Sequence, residues 1–128
     1  MFQVLWLQGR NYNDSMLQEI SKCKRLRELG LNHVENITPL GLKHVGSLPR
    51  LEKLLLFHAN NITTPCFEEF FSGENLRNLN YVNLSGCKGA TPEVEKAIRR
   101  NCPHVRKVIF QVSCLRETAY IDFDIYRG

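Results

Sequence analysis

The chain has 128 residues, 43% of them hydrophobic and 23% charged, a balance that suits one small globular domain and argues against disorder. The formal net charge is +4 with four histidines counted as neutral. No apolar run approaches the ~20 residues of a membrane span, and the opening Met1-Phe2-Gln3-Val4-Leu5-Trp6-Leu7 lacks the basic leader and long apolar stretch of a signal peptide. Five cysteines, an odd number without paired spacing, argue against a secreted disulfide framework and fit a reducing compartment better.

One phrase recurs along the chain. Phe2-Gln3-Val4-Leu5-Trp6-Leu7 returns as Leu26-Arg27-Glu28-Leu29-Gly30-Leu31, as Leu51-Glu52-Lys53-Leu54-Leu55-Leu56, as Leu79-Asn80-Tyr81-Val82-Asn83-Leu84 and as Val105-Arg106-Lys107-Val108-Ile109-Phe110. The starts at 2, 26, 51, 79 and 105 are separated by steps of 24, 25, 28 and 26. Self-similarity at this period marks a stack of structural repeats.

In chain order, the first unit predicts a strand from residue 2, then a helix capped by Asp14 or Ser15 with Met16 or Leu17 and Ile20 turned inward. In the second, Leu29 and Leu31 share one face of a strand, Asn32-His33 leaves it and Val34 turns the chain. Thr38 caps a helix that opens at Pro39, and Leu42, Val45 and Leu48 form its apolar stripe. The third unit repeats the logic with Thr63 or Thr64, Pro65, Phe67 and Phe70. The fourth does so with Thr91, Pro92, Val94, Ala97 and Ile98. Asn36-Ile37-Thr38 and Asn61-Ile62-Thr63, though glycosylation sequons, occupy one repeat position and read as a turn followed by a cap. Residues 1–112 are thus assigned to the repeats and 113–128 to a capping segment. In that segment Ile121, Phe123 and Ile125 alternate as one face of a strand. Its other reading is a partner-binding strand.

The positions between the inward residues form three rows across a parallel sheet. They are Val4, Glu28, Lys53, Tyr81, Lys107; then Trp6, Gly30, Leu55, Asn83, Ile109; then Gln8, Asn32, Phe57, Ser85, Gln111. Trp6, Leu55, Phe57, Tyr81 and Ile109 are unusual on a solvated face, and such a patch marks an interaction site. Glu28, Lys53 and Asn83 lie among them, with Glu28 beside Lys53 as a charge pair. The candidate site is therefore a partner-binding surface made of these eight residues. The first repeat begins at residue 2, so its open side is expected to be covered by further sequence of a longer protein or by another chain, a contact at the N-terminal edge in either case. Basic residues cluster at Lys22, Lys24, Arg25, Arg27 and at Arg99, Arg100, His104, Arg106, Lys107. They read as solvated helix ends, with contact to phosphate or an acidic partner as the other reading.

Chemistry is sparse. His33 and His58 share a repeat position, with Cys87 one unit on, but the repeat itself imposes that spacing and no metal is assigned. Cys87 reads as a small buried residue. No phosphate loop or acid–base carboxylate pair is visible, so no catalytic residue and no cofactor are assigned. The aromatics are not interleaved with basic residues as a nucleic-acid module requires.

Leu79-x-x-Val82-x-Leu84-x-x-Cys87, followed by Ala97-Ile98-Arg99-Arg100-Asn101-Cys102-Pro103-His104-Val105, resembles the cysteine-containing leucine-rich repeats of F-box/leucine-rich-repeat proteins, the substrate receptors of SCF ubiquitin ligases. Asn36-Ile37-Thr38-x-x-Gly41-Leu42 is similar to that family's turn. The resemblance covers roughly residues 2 to 112. It implies an α/β leucine-rich-repeat solenoid of about five repeats, with parallel strands on the concave side and helices on the convex side. Arg10, Val34, Ala59 and Ser113 replace cysteine in the other repeats, and no F-box precedes them. A looser resemblance links the chain to mitochondrial repeat proteins, the ATP synthase coupling factor B and complex I assembly factors. The expected function is protein binding as a substrate-receptor-type module, cytoplasmic or nuclear. The alternative is a scaffold or assembly factor, possible in mitochondria; an enzyme is not expected.

Overall fold

A computed structural model of the chain describes residues 3–8, 12–32, 36–112 and 119–122. Strands and helices alternate as β1 (Val4–Gln8), α1 (Asp14–Ile20), β2 (Glu28–Asn32), α2 (Pro39–Val45), β3 (Lys53–Phe57), α3 (Thr64–Phe71), β4 (Tyr81–Asn83), α4 (Pro92–Asn101) and β5 (Lys107–Val112). A last strand, β6 (Ala119–Asp122), closes the series. The strands form one sheet in sequence order. The first five run parallel, and β6 runs antiparallel to β5. No described helix is long and apolar enough to cross a membrane.

Register follows from which residues must be covered. Leu5, Leu29, Leu54, Val82 and Val108 stand side by side, and Leu7, Leu31 and Leu56 make the next row. From β2 onward these side chains are almost fully buried, and they form one cluster with Leu17, Ile20, Leu42, Val45, Phe67, Phe70, Val94 and Ile98 of the four helices. The helices therefore cover one face of the sheet. Each fully buried leucine removes enough apolar surface to contribute about 1.5–3 kcal/mol before conformational entropy is counted. Phe71 joins this core beside the two predicted phenylalanines. Its ring stacks on Phe67 at 6.3 Å and meets Phe70 edge-on at 4.9 Å. The 28-residue step between the third and fourth phrases is taken up by a 3-10 turn at Glu74–Asn78, whose Leu76 is buried.

The helix starts obey local chemistry. Thr38 caps α2, its hydroxyl accepting from the Leu40 N–H at 3.3 Å, with Pro39 in the first turn. Thr63 and Thr91 hold the cap positions of α3 and α4, each followed by a first-turn proline. In α1 the cap is Asn13, whose side chain accepts from the Met16 N–H at 3.2 Å, rather than Asp14 or Ser15. Leu17 and Ile20 are its inward residues, while Met16 is exposed.

Asp14 has a different task. Its carboxylate accepts from the Thr38 N–H at 2.9 Å and from the Thr38 hydroxyl, clasping the start of α1 to the start of α2. Gly41 leaves room for it, since a Cβ there would collide with the carboxylate. Another threonine ties the start of α3 to the turn before α4: the Thr64 hydroxyl donates to the Gly89 carbonyl at 2.8 Å.

Replacing Asp14 with alanine is expected to lower stability by about 1–2 kcal/mol. Gly41→Ala is expected to destabilise the parent chain and to cost clearly less when Asp14 is already alanine. Urea unfolding of the four proteins measures the coupling, and strictly additive losses would show that the carboxylate is not what excludes the Cβ.

Candidate functional site: the open face of the sheet

Alternation sends every second strand residue to the face that the helices leave uncovered. The observed register places Val4, Glu28, Lys53, Tyr81 and Lys107 in one row, and Trp6, Gly30, Leu55, Asn83 and Ile109 in the next. Asn32 and Phe57 pair in the third. All eight candidate residues thus lie on strands of one sheet, on the same side.

Their exposures differ. Trp6 is 55% exposed and Val4 beside it 53%. Lys53 is exposed; Glu28, Phe57, Tyr81 and Asn83 are half-buried. Leu55 and Ile109, expected to be open to solvent, are only 7% and 4% exposed. The reason is position in the row. Trp6 stands on β1, the first strand, with a row neighbour on one side only. Leu55 and Ile109 stand on inner strands, flanked on both sides.

Around Trp6 the face is organised by three contacts. The indole Nε1–H donates to Glu28 Oε2 at 2.7 Å. Glu28 in turn lies 3.9 Å from Lys53 Nζ, a partly exposed pair that contributes little to stability. The indole ring covers Gly30: a Cβ there would stand 2.7 Å from the ring atom Cε3. Glycine is what lets the ring lie down on the sheet. Further along, Asn83 is committed to its own strand. Its Oδ1 accepts from the Ser85 hydroxyl at 2.6 Å and the Ser85 N–H at 3.1 Å, and its Nδ2 donates to the Tyr81 hydroxyl at 3.4 Å. Asn83 shapes the site more than it offers a free group.

Of His33, His58 and Cys87, two are described. His33 lies outside the described residues. His58 sits at the end of β3 with φ of +61°, its backbone N–H donating to the Ser85 carbonyl at 3.2 Å. The Cys87 thiol donates to the Leu56 carbonyl at 3.2 Å. Burial pushes that thiol up to about 11, against the opposing pull of backbone hydrogen bonds from Ala59 and His58. Burial likewise pushes Cys102 up to about 11, and its thiol faces the Phe71 carbonyl. Among the described residues no group of three histidine, cysteine or acidic side chains is placed to hold a metal. With its pKa pushed up to about 11, the Cys87 thiol is protonated near neutral pH and donates to the backbone.

A second feature was not assigned from the sequence. At the N-terminal ends of the strands lies an open groove of about 1130 Å³, lined by Arg25, Arg27, Arg50 and Arg106 together with His104, Glu52 and amide side chains. Arg99 and Arg100 do end α4, as helix-end cations should. Arg25, Arg27 and Arg106 belong to no helix. The signal that finds them is repeat phase: Arg25, Arg50 and His104 each stand directly before a phrase, and Arg27 and Arg106 are each its second residue.

In comparisons with known proteins, no protein-family model and no curated sequence matches this chain.

Trp6 is the only tryptophan, so its fluorescence reports this face. Gly30→Ala is expected to lift the ring into water and shift its emission to longer wavelength; an unchanged spectrum from the folded variant would place the ring elsewhere. At pH 8, Ellman's reagent followed by peptide mapping is expected to leave Cys87 and Cys102 unmodified until denaturant is added. Prompt labelling of Cys87 in the folded chain would contradict its protonated, buried state.

Proposed function

We propose that this chain is a leucine-rich-repeat interaction module that captures a protein partner on the open face of its sheet. The repeat assignment is supported by the coincidence of the five recurring phrases with five parallel strands in sequence order. The resemblance to the repeat domains of F-box substrate receptors supports a substrate-receptor role over a catalytic one. The observation that carries the binding reading is the exposure of Trp6 and Val4 on that face, which Phe57 and Tyr81 share two and three strands away. A large aromatic held in one orientation by Glu28 and Gly30 loses little entropy on docking, which is why tryptophan and tyrosine dominate interface energetics.

The test is affinity capture from cells by the tagged chain, beside the triple variant Trp6→Ala, Phe57→Ala, Tyr81→Ala. The variant is expected to fold, as these side chains lie outside the core cluster, and to lose at least tenfold in partner recovery. Ubiquitin-ligase subunits or their clients among the lost partners would support the receptor reading. Respiratory or ATP synthase subunits would replace it with an assembly role. Undiminished capture by the folded triple variant would remove the open face from consideration.

A further inference from the structure

The groove at the strand N-termini carries an inference that does not depend on the open face. It is built from two rows of repeat positions. Arg25 and Arg50 stand directly before the second and third phrases, and Arg27, Glu52, Asn80 and Arg106 occupy the second position of four successive phrases. Backbone hydrogen bonds fix the second row: the Glu52 N–H donates to the Arg27 carbonyl at 2.7 Å, Asn80 to Glu52 at 2.7 Å and Arg106 to Asn80 at 2.8 Å. With neighbouring strands ~4.8 Å apart, Arg27 and Arg106 are ~14 Å apart along the groove.

The groove concentrates charge. It holds four arginines and a single glutamate, a formal excess of three positive charges where the whole chain has an excess of four. Glu52 is taken by Arg27, at 2.5 Å from its Nε. Among the described residues Arg25, Arg50 and Arg106 have no acidic partner within 4 Å. Three unpaired guanidinium groups around one groove repel each other until an anion enters. The cations are all arginine, with no lysine among the lining residues. Arginine's planar fork of donors suits bidentate binding of phosphate and carboxylate. No phenylalanine, tyrosine or tryptophan lines the groove, so it lacks the large aromatic platforms on which single-stranded nucleic acid stacks its bases.

We infer that this groove binds an extended, doubly phosphorylated segment of a protein partner. Arg25 and Arg50, one strand apart, clamp one phosphate, and Arg106 receives the other. Two phosphates at about −1.5 to −2 each balance the groove's positive excess. In an extended peptide, residues four apart are separated by ~13–14 Å, comparable to the ~12 Å, two and a half strand spacings, from the midpoint of Arg25 and Arg50 to Arg106.

The probe is a fluorescent ten-residue peptide in a neutral glycine–alanine–serine background with phosphoserines four residues apart. It is titrated against the full chain by anisotropy, beside the unphosphorylated peptide, the same peptide with glutamate at both positions, and a single-stranded oligonucleotide of equal charge. The phosphopeptide is expected to bind at least tenfold more tightly than any of the three, and more weakly as salt rises. Arg25→Gln with Arg50→Gln, both on exposed side chains, is expected to reduce its affinity at least tenfold, while Trp6→Ala leaves it unchanged. Equal binding of the unphosphorylated or glutamate peptide would overturn the assignment, as would tighter binding of the oligonucleotide or full affinity in the folded arginine variant. Should that variant fail to fold, the ranking of the four probes on the parent chain decides alone.

Discussion

A parallel strand buries side chains on the face its crossover helix covers, and a slip of one residue would turn that set to the other side. In this chain each strand brings an inward pair such as Leu29 and Leu31 or Leu54 and Leu56, and each pair must lie beside the next to share one core. That constraint sets the register of the sheet. Once it is set, every residue in a given phase of the phrase stands beside its counterpart one unit away. Rows on the open face, and the two rows that line the arginine groove, are consequences of burying leucines elsewhere.

The polar contacts obey the same geometry. Asp14 reaches Thr38 across 24 residues, Thr64 reaches Gly89 across 25, and Arg27 pairs with Glu52 across 25. The buried thiols of Cys87 and Cys102 face carbonyls 31 residues back in the chain. Each contact joins one strand–helix unit to the next in the chain. Cysteine suits these sites because it is small and apolar yet keeps a weak donor. Burial keeps it protonated and able to donate.

Whatever depended on periodicity could be read from the sequence. The phrase spacing located the strands and the face that each residue takes, and threonine followed by proline located three of the four helix starts. What could not be read depends on neighbours in space. Asn13 and Asp14 are equally good caps by residue type; the choice between them turns on Thr38, which offers Asp14 a partner one unit away. Leu55 and Ile109 share the parity of Trp6, but exposure depends on how many strands flank a residue, which parity does not encode. Phe71 adds to the core a third aromatic that spacing by threes does not select. The arginine groove was hidden because its residues were grouped by nearness along the chain, whereas the fold groups them by phase.

The two surfaces differ in what they can discriminate. The open face presents an indole held by Glu28 and Gly30, with half-buried Phe57 and Tyr81 two and three strands away, so selectivity in the proposed capture would rest on shape and on water excluded around Trp6. The groove presents guanidinium groups, and selectivity in the proposed phosphopeptide binding would rest on the charge and spacing of oxyanions. Trp6 links the first of these to the edge of the sheet. It lies on β1, beyond which no strand stands among the described residues, so the unpaired backbone of that strand borders the most exposed aromatic of the face. An unpaired strand edge is itself a template for another chain. Among the described residues the apolar patch around Trp6 and the outer edge of β1 therefore adjoin.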